Sequence, residues 1–141
     1  MTNLNVSVFV FSYLLRRMTM MADDAGFDVA WFAEHHLSNY CISPSPLMTA
    51  SHMAAQTKQI KVGPAVVVLP FYEPLRLAED ICLADQLSNG RLVLGVGTGY
   101  QPREFKKFGF EINDRLERGL EIWDVIQQGV YSGVINYQGE H

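Results

Sequence analysis

Three runs rich in β-branched and apolar residues, 29–33, 60–69 and 92–96, begin about 30 residues apart, and each is followed by a helix-compatible stretch. The runs are apolar at successive positions, as parallel strands covered by helices on both faces must be. A fourth run, residues 6–11, predicts one more strand ahead of them. Four strand–helix units result, with strands starting near Val6, Val29, Ile60 and Arg91. Strands alternating with helices fit either a barrel or an open doubly wound α/β sheet. Eight such units take about 250 residues and close a (β/α)8 barrel. A chain of 141 residues holds four. The expectation is therefore one domain, residues 1–141, built as the N-terminal half of a barrel. Its strands should be parallel and in the order 1-2-3-4, with helices on the outer face.

The helices announce themselves by their ends. Leu14, Met18, Met21 and Ala25 share a helical spacing and predict a helix over 13–25, with Gly26 as its left-handed cap. Ser43-Pro44 and Ser45-Pro46 both offer a capping serine before a first-turn proline, for a helix running to about Thr57. Glu73-Pro74 opens the next, with Leu77, Ile81, Ala84 and Leu87 on one face and Asn89-Gly90 as the stop. A last helix over 114–128 is expected to bury Leu116, Leu120, Trp123 and Ile126. Residues 134–137 read as a strand entering a turn, so that Glu140-His141 falls where a return strand should begin. A lone strand needs a partner, and the expectation is a truncated chain.

Composition removes several function classes. The net charge is −4, and the only adjacent basic pairs are Arg16-Arg17 and Lys106-Lys107. No basic stripe of the kind that nucleic-acid binding requires is present. The apolar run near the N-terminus lacks a basic lead and a small-residue cleavage site, so it does not read as a signal peptide. No stretch approaches the ~20 apolar residues that span a bilayer. Cys41 and Cys82 have no CxxC spacing and read as free thiols in a reducing cytoplasm.

Three places could carry chemistry. Glu34-His35-His36 follows the second strand, and in parallel α/β folds the carboxyl ends of strands carry the active groups. His35 there can act as acid or base; a solvated surface loop and a metal site are the competing readings. If the strand continued, Glu34 and His36 would point away from His35, and no second His or Cys cluster supplies further ligands. His52 falls within a helix and reads as packing or surface. Residues 95–99, Gly-Val-Gly-Thr-Gly, follow the fourth strand. Their GxGxG spacing is not the dinucleotide fingerprint, and they fit either a ligand loop or a tight turn. Gly63-Pro64-Ala65-Val66 interrupts the third strand, either as a bulge or unusual peptide facing a ligand or as simple strand initiation after Pro64.

Taken together these blocks resemble a known family. AGFDVAWFAEHH and KVGPAVVVLPFYEPLRLAEDICLADQLSNGRLVLGVGTGYQPREFKKFGF are similar to the bacterial-luciferase-like flavin-dependent monooxygenases and oxidoreductases. The similarity runs from about Ala25 to Gln128, with its blocks in family order. It implies a TIM-type barrel with the flavin at the carboxyl ends of the strands. It implies that His35 is the active-site histidine, acting as a base near the flavin. It places Ala65-Val66 at the family's non-prolyl cis peptide behind the isoalloxazine ring, and Gly97 and Thr98 in the loop beside the flavin. Luciferase itself carries cysteine and arginine at the last two positions, so Gly97 and Thr98 favour the wider oxidoreductase group.

The resemblance further implies a two-component reaction. A flavin reductase supplies reduced FMN, which with O₂ oxidises a small organic substrate. Hydride transfer with the deazaflavin F420 is the alternative chemistry, and a non-catalytic barrel remnant is the alternative from another class. Two features depart from the family pattern. The segment joining the first strand to the first helix is very short, and the later strands, which supply much of the phosphate site and substrate pocket, lie beyond this sequence. Half a barrel leaves unpaired edge strands and a wet inner face formed by Val8, Val66, Val68 and Val93. Homo-oligomers, or association through the barrel edges, are expected, together with weak FMN binding by these 141 residues.

Overall fold

The computed structural model describes residues 5–38 and 43–140. Its order is α1 (Asn5–Asp24), β1 (Val29–Phe32), α2 (Pro46–Ala54), β2 (Lys61–Pro64), β3 (Val67–Val68), α3 (Pro74–Leu87), β4 (Val96–Gly97), α4 (Pro102–Phe108) and α5 (Arg115–Gln127). All strand pairing between these elements is parallel. Val29 to Phe32 of β1 pair in register with Lys61 to Pro64 of β2. Val62 bridges to Leu92, and β3 pairs with β4. The segments near 29, 61 and 92 are thus neighbours in chain order, without the reversal that an open flavodoxin-like sheet requires. The third expected strand is split into β2 and β3, with Ala65 and Val66 between them.

The strand expected at residues 6–11 is not there: this stretch is the first part of α1. No glycine or proline stands between Asn5 and Ala25 to separate a strand from a helix. A helix already formed over 13–24 then propagates toward the N-terminus at one hydrogen bond per residue. The side chain of Val8 and all of Cys41 lie outside the described residues; Cys82 is a half-buried free thiol. Gly26 does take the left-handed conformation, at φ 77°. The face of α1 is corrected too: Leu14, Met18 and Met21 are exposed, while Thr19 and Asp23 are buried and Leu15 packs on the core.

Two apolar clusters hold the layers together. Phe32 and Val62 meet Ala50, Met53 and Ala54 of α2. Val67 and Leu69 meet Leu47, Leu77, Ala78, Ile81, Ala84, Ile122 and Ile126. Polar ties close the ends of the elements. Asp23 accepts from the backbone N–H groups of Lys58, Gln59 and Ile60 at 2.7, 3.1 and 2.7 Å. The amides of Lys58 and Ile60 chiefly hold its carboxyl below the usual range, against burial, with Gln59 and Arg91 adding to them. Arg91 donates to the carbonyls of Ala54, Ile60 and Ser88 and to the hydroxyl of Thr57.

The C-terminal third departs most from expectation. Helix α4 was not foreseen, although Pro102 at its start and Gly109 at its left-handed end mark it. In α5 the buried residues are Gly119, Ile122, Val125 and Ile126. Leu116 and Leu120 are 56% and 66% exposed, so the expected apolar face is rotated. Leu87 of α3 is likewise exposed. Residues 134–137 form no strand, consistent with the absence of a pairing partner for them among the described residues.

Candidate active site

Each strand ends by delivering residues to one place. Glu34 and His35 follow β1, Ala65 and Val66 follow β2, Val68 ends β3, and Thr98 and Gly99 follow β4. With Tyr100 and Glu104 these residues line a cavity of about 300 Å³ at the carboxyl ends of the parallel strands. His35, Ala65, Val66 and Thr98, singled out in the sequence, are thus brought together. Gly97 lies directly behind Val66: a Cβ built on it would stand 2.8 Å from Val66 Cγ2. A Cβ on Gly95 would stand 2.5 Å from the Pro64 carbonyl oxygen. The glycines are required because the loop after β4 runs hard against the Pro64–Val66 segment. The Ala65–Val66 peptide is cis.

The two adjacent histidines are held by two different carboxylates. Glu34 is only 3% exposed. Its Oε2 accepts from the Val68 N–H at 2.8 Å, and its Oε1 accepts from the Tyr72 hydroxyl at 3.0 Å. The same Oε1 lies 2.7 Å from His36 Nε2. Burial, and then the Glu34 charge and hydrogen bond, push the Tyr72 phenol well above its usual range, with Asp80 adding a smaller push. His36 is wedged edge-on between Phe71 and Phe108, at ring distances of 5.5 and 4.8 Å. His35 turns the other way, as strand-like alternation predicts. Its Nδ1 lies 3.2 Å from Glu104 Oε1, and that oxygen also accepts from the His36 backbone N–H at 2.9 Å. The ring of Tyr100 stands edge-on to His35 at 5.9 Å.

Sequence reasoning missed Glu104 and Tyr100, gave no partner to Glu34, and placed on a wet inner face Val68, which is buried. Glu104 is 69 positions from His35 on a helix that was not expected. The available signal was a glutamate beside an inward-facing phenylalanine in a proline-opened, glycine-closed segment. Among the described residues no group of three or more His, Cys, Asp or Glu is arranged to hold a metal ion. Likewise, no helix is long and apolar enough to cross a membrane. Two larger clefts, of about 660 and 560 Å³, lie against α3 and α5. Neither is lined by a histidine, whereas the smaller cavity is lined by His35.

The chain is 43% identical over 122 residues to an uncharacterized protein of Sinorhizobium fredii, a match covering 86% of this chain and 35% of that one. It is 32% identical over 111 residues to the oxygenase component of the flavin-dependent trigonelline monooxygenase of Acinetobacter baylyi, covering 79% and 29%. Among solved structures, a monooxygenase from Streptomyces bottropensis superposes with a TM-score of 0.88 at 26% identity, over 92% of this chain and 40% of that one. The oxygenating constituent of 3,6-diketocamphane monooxygenase of Pseudomonas putida, solved with FMN, superposes with a TM-score of 0.84 at 23% identity, over 99% and 40%. The chain spans about a third of the length of these curated relatives. Since the profile of the luciferase-like monooxygenases matches residues 5–141, the chain belongs to that family.

Proposed function

We propose that this chain supplies the flavin-facing cavity of a monooxygenase that uses reduced FMN and O₂ to oxidise a small organic substrate, with His35 moving a proton. The observation that carries the reading is the convergence on one cavity of His35, the cis Ala65–Val66 peptide and the residues after β4. The family membership supports it, as does the flavin dependence named for the Acinetobacter relative. FMN is named with the Pseudomonas neighbour, whose fold this chain shares.

The residues suit one face of a planar ring. Ala65 and Val66 present small apolar side chains, and the loop at Gly97 lacks a Cβ where one would strike Val66. These residues and Thr98 would hold the ring. At about 300 Å³ the cavity is at the lower limit for a ligand site. It accommodates part of a flavin, so binding by this chain alone should be weak.

When bound, reduced FMN supplies the electrons for oxygen chemistry. The protein's own contribution is orientation, exclusion of water by Val66 and Val68, and proton transfer at His35. A separate reductase would deliver the reduced flavin, a reading supported by the naming of the Acinetobacter relative as an oxygenase component.

Titration with FMN and, separately, with F420 tests the cofactor. Oxygen uptake with reduced FMN tests the reaction. In the active enzyme, His35→Ala should lower turnover by roughly 10²–10⁴-fold with little change in flavin affinity. Binding of F420 alone would point to hydride transfer instead. Binding of neither would leave a barrel remnant without catalysis.

A further inference from the structure

We infer that Glu104 is a positioning residue that keeps the proton of neutral His35 on Nδ1 and so leaves the lone pair on Nε2. The inference rests on the reading of His35 as the proton-moving group. It adds the residue that decides which nitrogen does so. An ionised carboxylate only accepts hydrogen bonds, so an imidazole nitrogen facing it must carry the proton. Glu104 Oε1 is 3.2 Å from His35 Nδ1 and is fixed independently by the His36 backbone N–H at 2.9 Å. The carboxylate is itself anchored. Glu104 is 5% exposed, and the adjoining Phe105, at 1%, pins α4 to the core. Phe105 packs in turn against Phe71 at 4.8 Å. A buried glutamate is rare unless a partner faces it, and here the partners are the two histidines.

The neighbouring histidine sharpens the inference. His36 meets its carboxylate, Glu34, through Nε2 and not Nδ1. By the same reasoning its proton sits on Nε2. Two adjacent histidines should therefore be locked in opposite tautomers by two buried glutamates. His36 is enclosed by Phe71 and Phe108 and acts as part of the frame, whereas His35 lines the cavity. Assignment of His35 Nε2 as the acceptor follows from Glu104, not from the position of His35 in the sequence.

The test is long-range ¹H–¹⁵N correlation of the full chain labelled at histidine nitrogens, at mildly alkaline pH. Signals are assigned through single His→Gln variants. The expected spectrum shows His35 protonated on Nδ1 and His36 on Nε2. Glu104→Ala should shift His35 to a majority of the Nε2-protonated form and leave His36 unchanged. Glu104→Gln, which retains an acceptor oxygen, should keep the wild-type pattern. A wild-type His35 protonated on Nε2, or on both nitrogens, would overturn the inference even if the alanine variant does not fold. An unchanged His35 pattern in a folded Glu104→Ala would do the same. FMN titration of the same samples reports separately on the flavin reading, so the two can fail independently.

Discussion

Replacing Glu34 with alanine removes one acceptor from three donors. Two of them have nowhere else to turn. The Val68 N–H belongs to a buried strand residue, and His36 is enclosed by aromatic rings. Each such orphaned group costs about 1–3 kcal/mol. The Tyr72 hydroxyl belongs to a half-buried residue and can turn to water, so its loss adds little. The deleted methylene adds about 0.8 kcal/mol. The expected destabilisation is about 3–7 kcal/mol, a large share of the roughly 5–15 kcal/mol that holds a typical domain. Glu34→Gln keeps the shape and part of the acceptor capacity, and should cost about half as much. Urea unfolding followed by tryptophan fluorescence measures both. A loss below about 1 kcal/mol for Glu34→Ala would refute the argument that this carboxylate organises the cavity wall.

Other perturbations read other parts of the account. Because the Asp23 carboxyl is held below its usual range, the stability it confers is present above the ordinary carboxylate pKa, near 3.9, and is lost as pH falls through the depressed value. Asp23→Asn should flatten that acid limb in unfolding measured across a pH series. Tyr72 is the opposite case. Its phenol is raised, so stability holds below the ordinary phenol pKa, near 10, and declines as pH rises past it. Alkaline spectrophotometric titration should find Tyr72 ionising late, alongside Tyr137, whose phenol is also pushed up by burial and by Glu121; in Glu34→Ala only Tyr72 should ionise earlier. Gly97→Ala drives a methyl group into the stiff Val66 side chain. It should cost about 1–3 kcal/mol by overpacking and weaken flavin binding, as followed by fluorescence quenching. Parallel edges at β1 and β4, together with the exposed Leu116 and Leu120, favour self-association. Size-exclusion chromatography should show species larger than the monomer, and a monomer at all concentrations would contradict this.

The parallel segments at 29, 61 and 92 were legible because runs of apolar residues recur at a βαβ period, although β1 is not covered on both faces: Trp31 is exposed. Helix ends were legible from prolines, glycines and the Glu73 cap, whose side chain accepts from the Arg76 N–H. Residues 6–11 were not: a short apolar run fits either period, and only the missing breaker before Tyr13 favours the helix. The α5 face was misread because large exposed residues, Leu116 and Leu120, share a helical spacing with the buried Ile126. In the site, His35, Ala65, Val66, Gly97 and Thr98 were visible from strand-end position and resemblance. The carboxylates that hold the histidines were not, because Glu104 meets His35 across 69 residues and no local pattern encodes such a contact.

The claim that the cavity at the strand ends receives a flavin ring is tested most directly by chemical-shift mapping, which detects weak binding. The ¹⁵N-labelled chain would be titrated with FMN and with lumiflavin, which has the ring without the phosphate. The account predicts that both move the same signals, those of His35, Val66, Gly97, Thr98, Gly99 and Tyr100, which lie on or behind the wall of the cavity. No response to either ligand would contradict the account. So would shifts confined to the larger cleft around Phe71, Phe110 and Arg118.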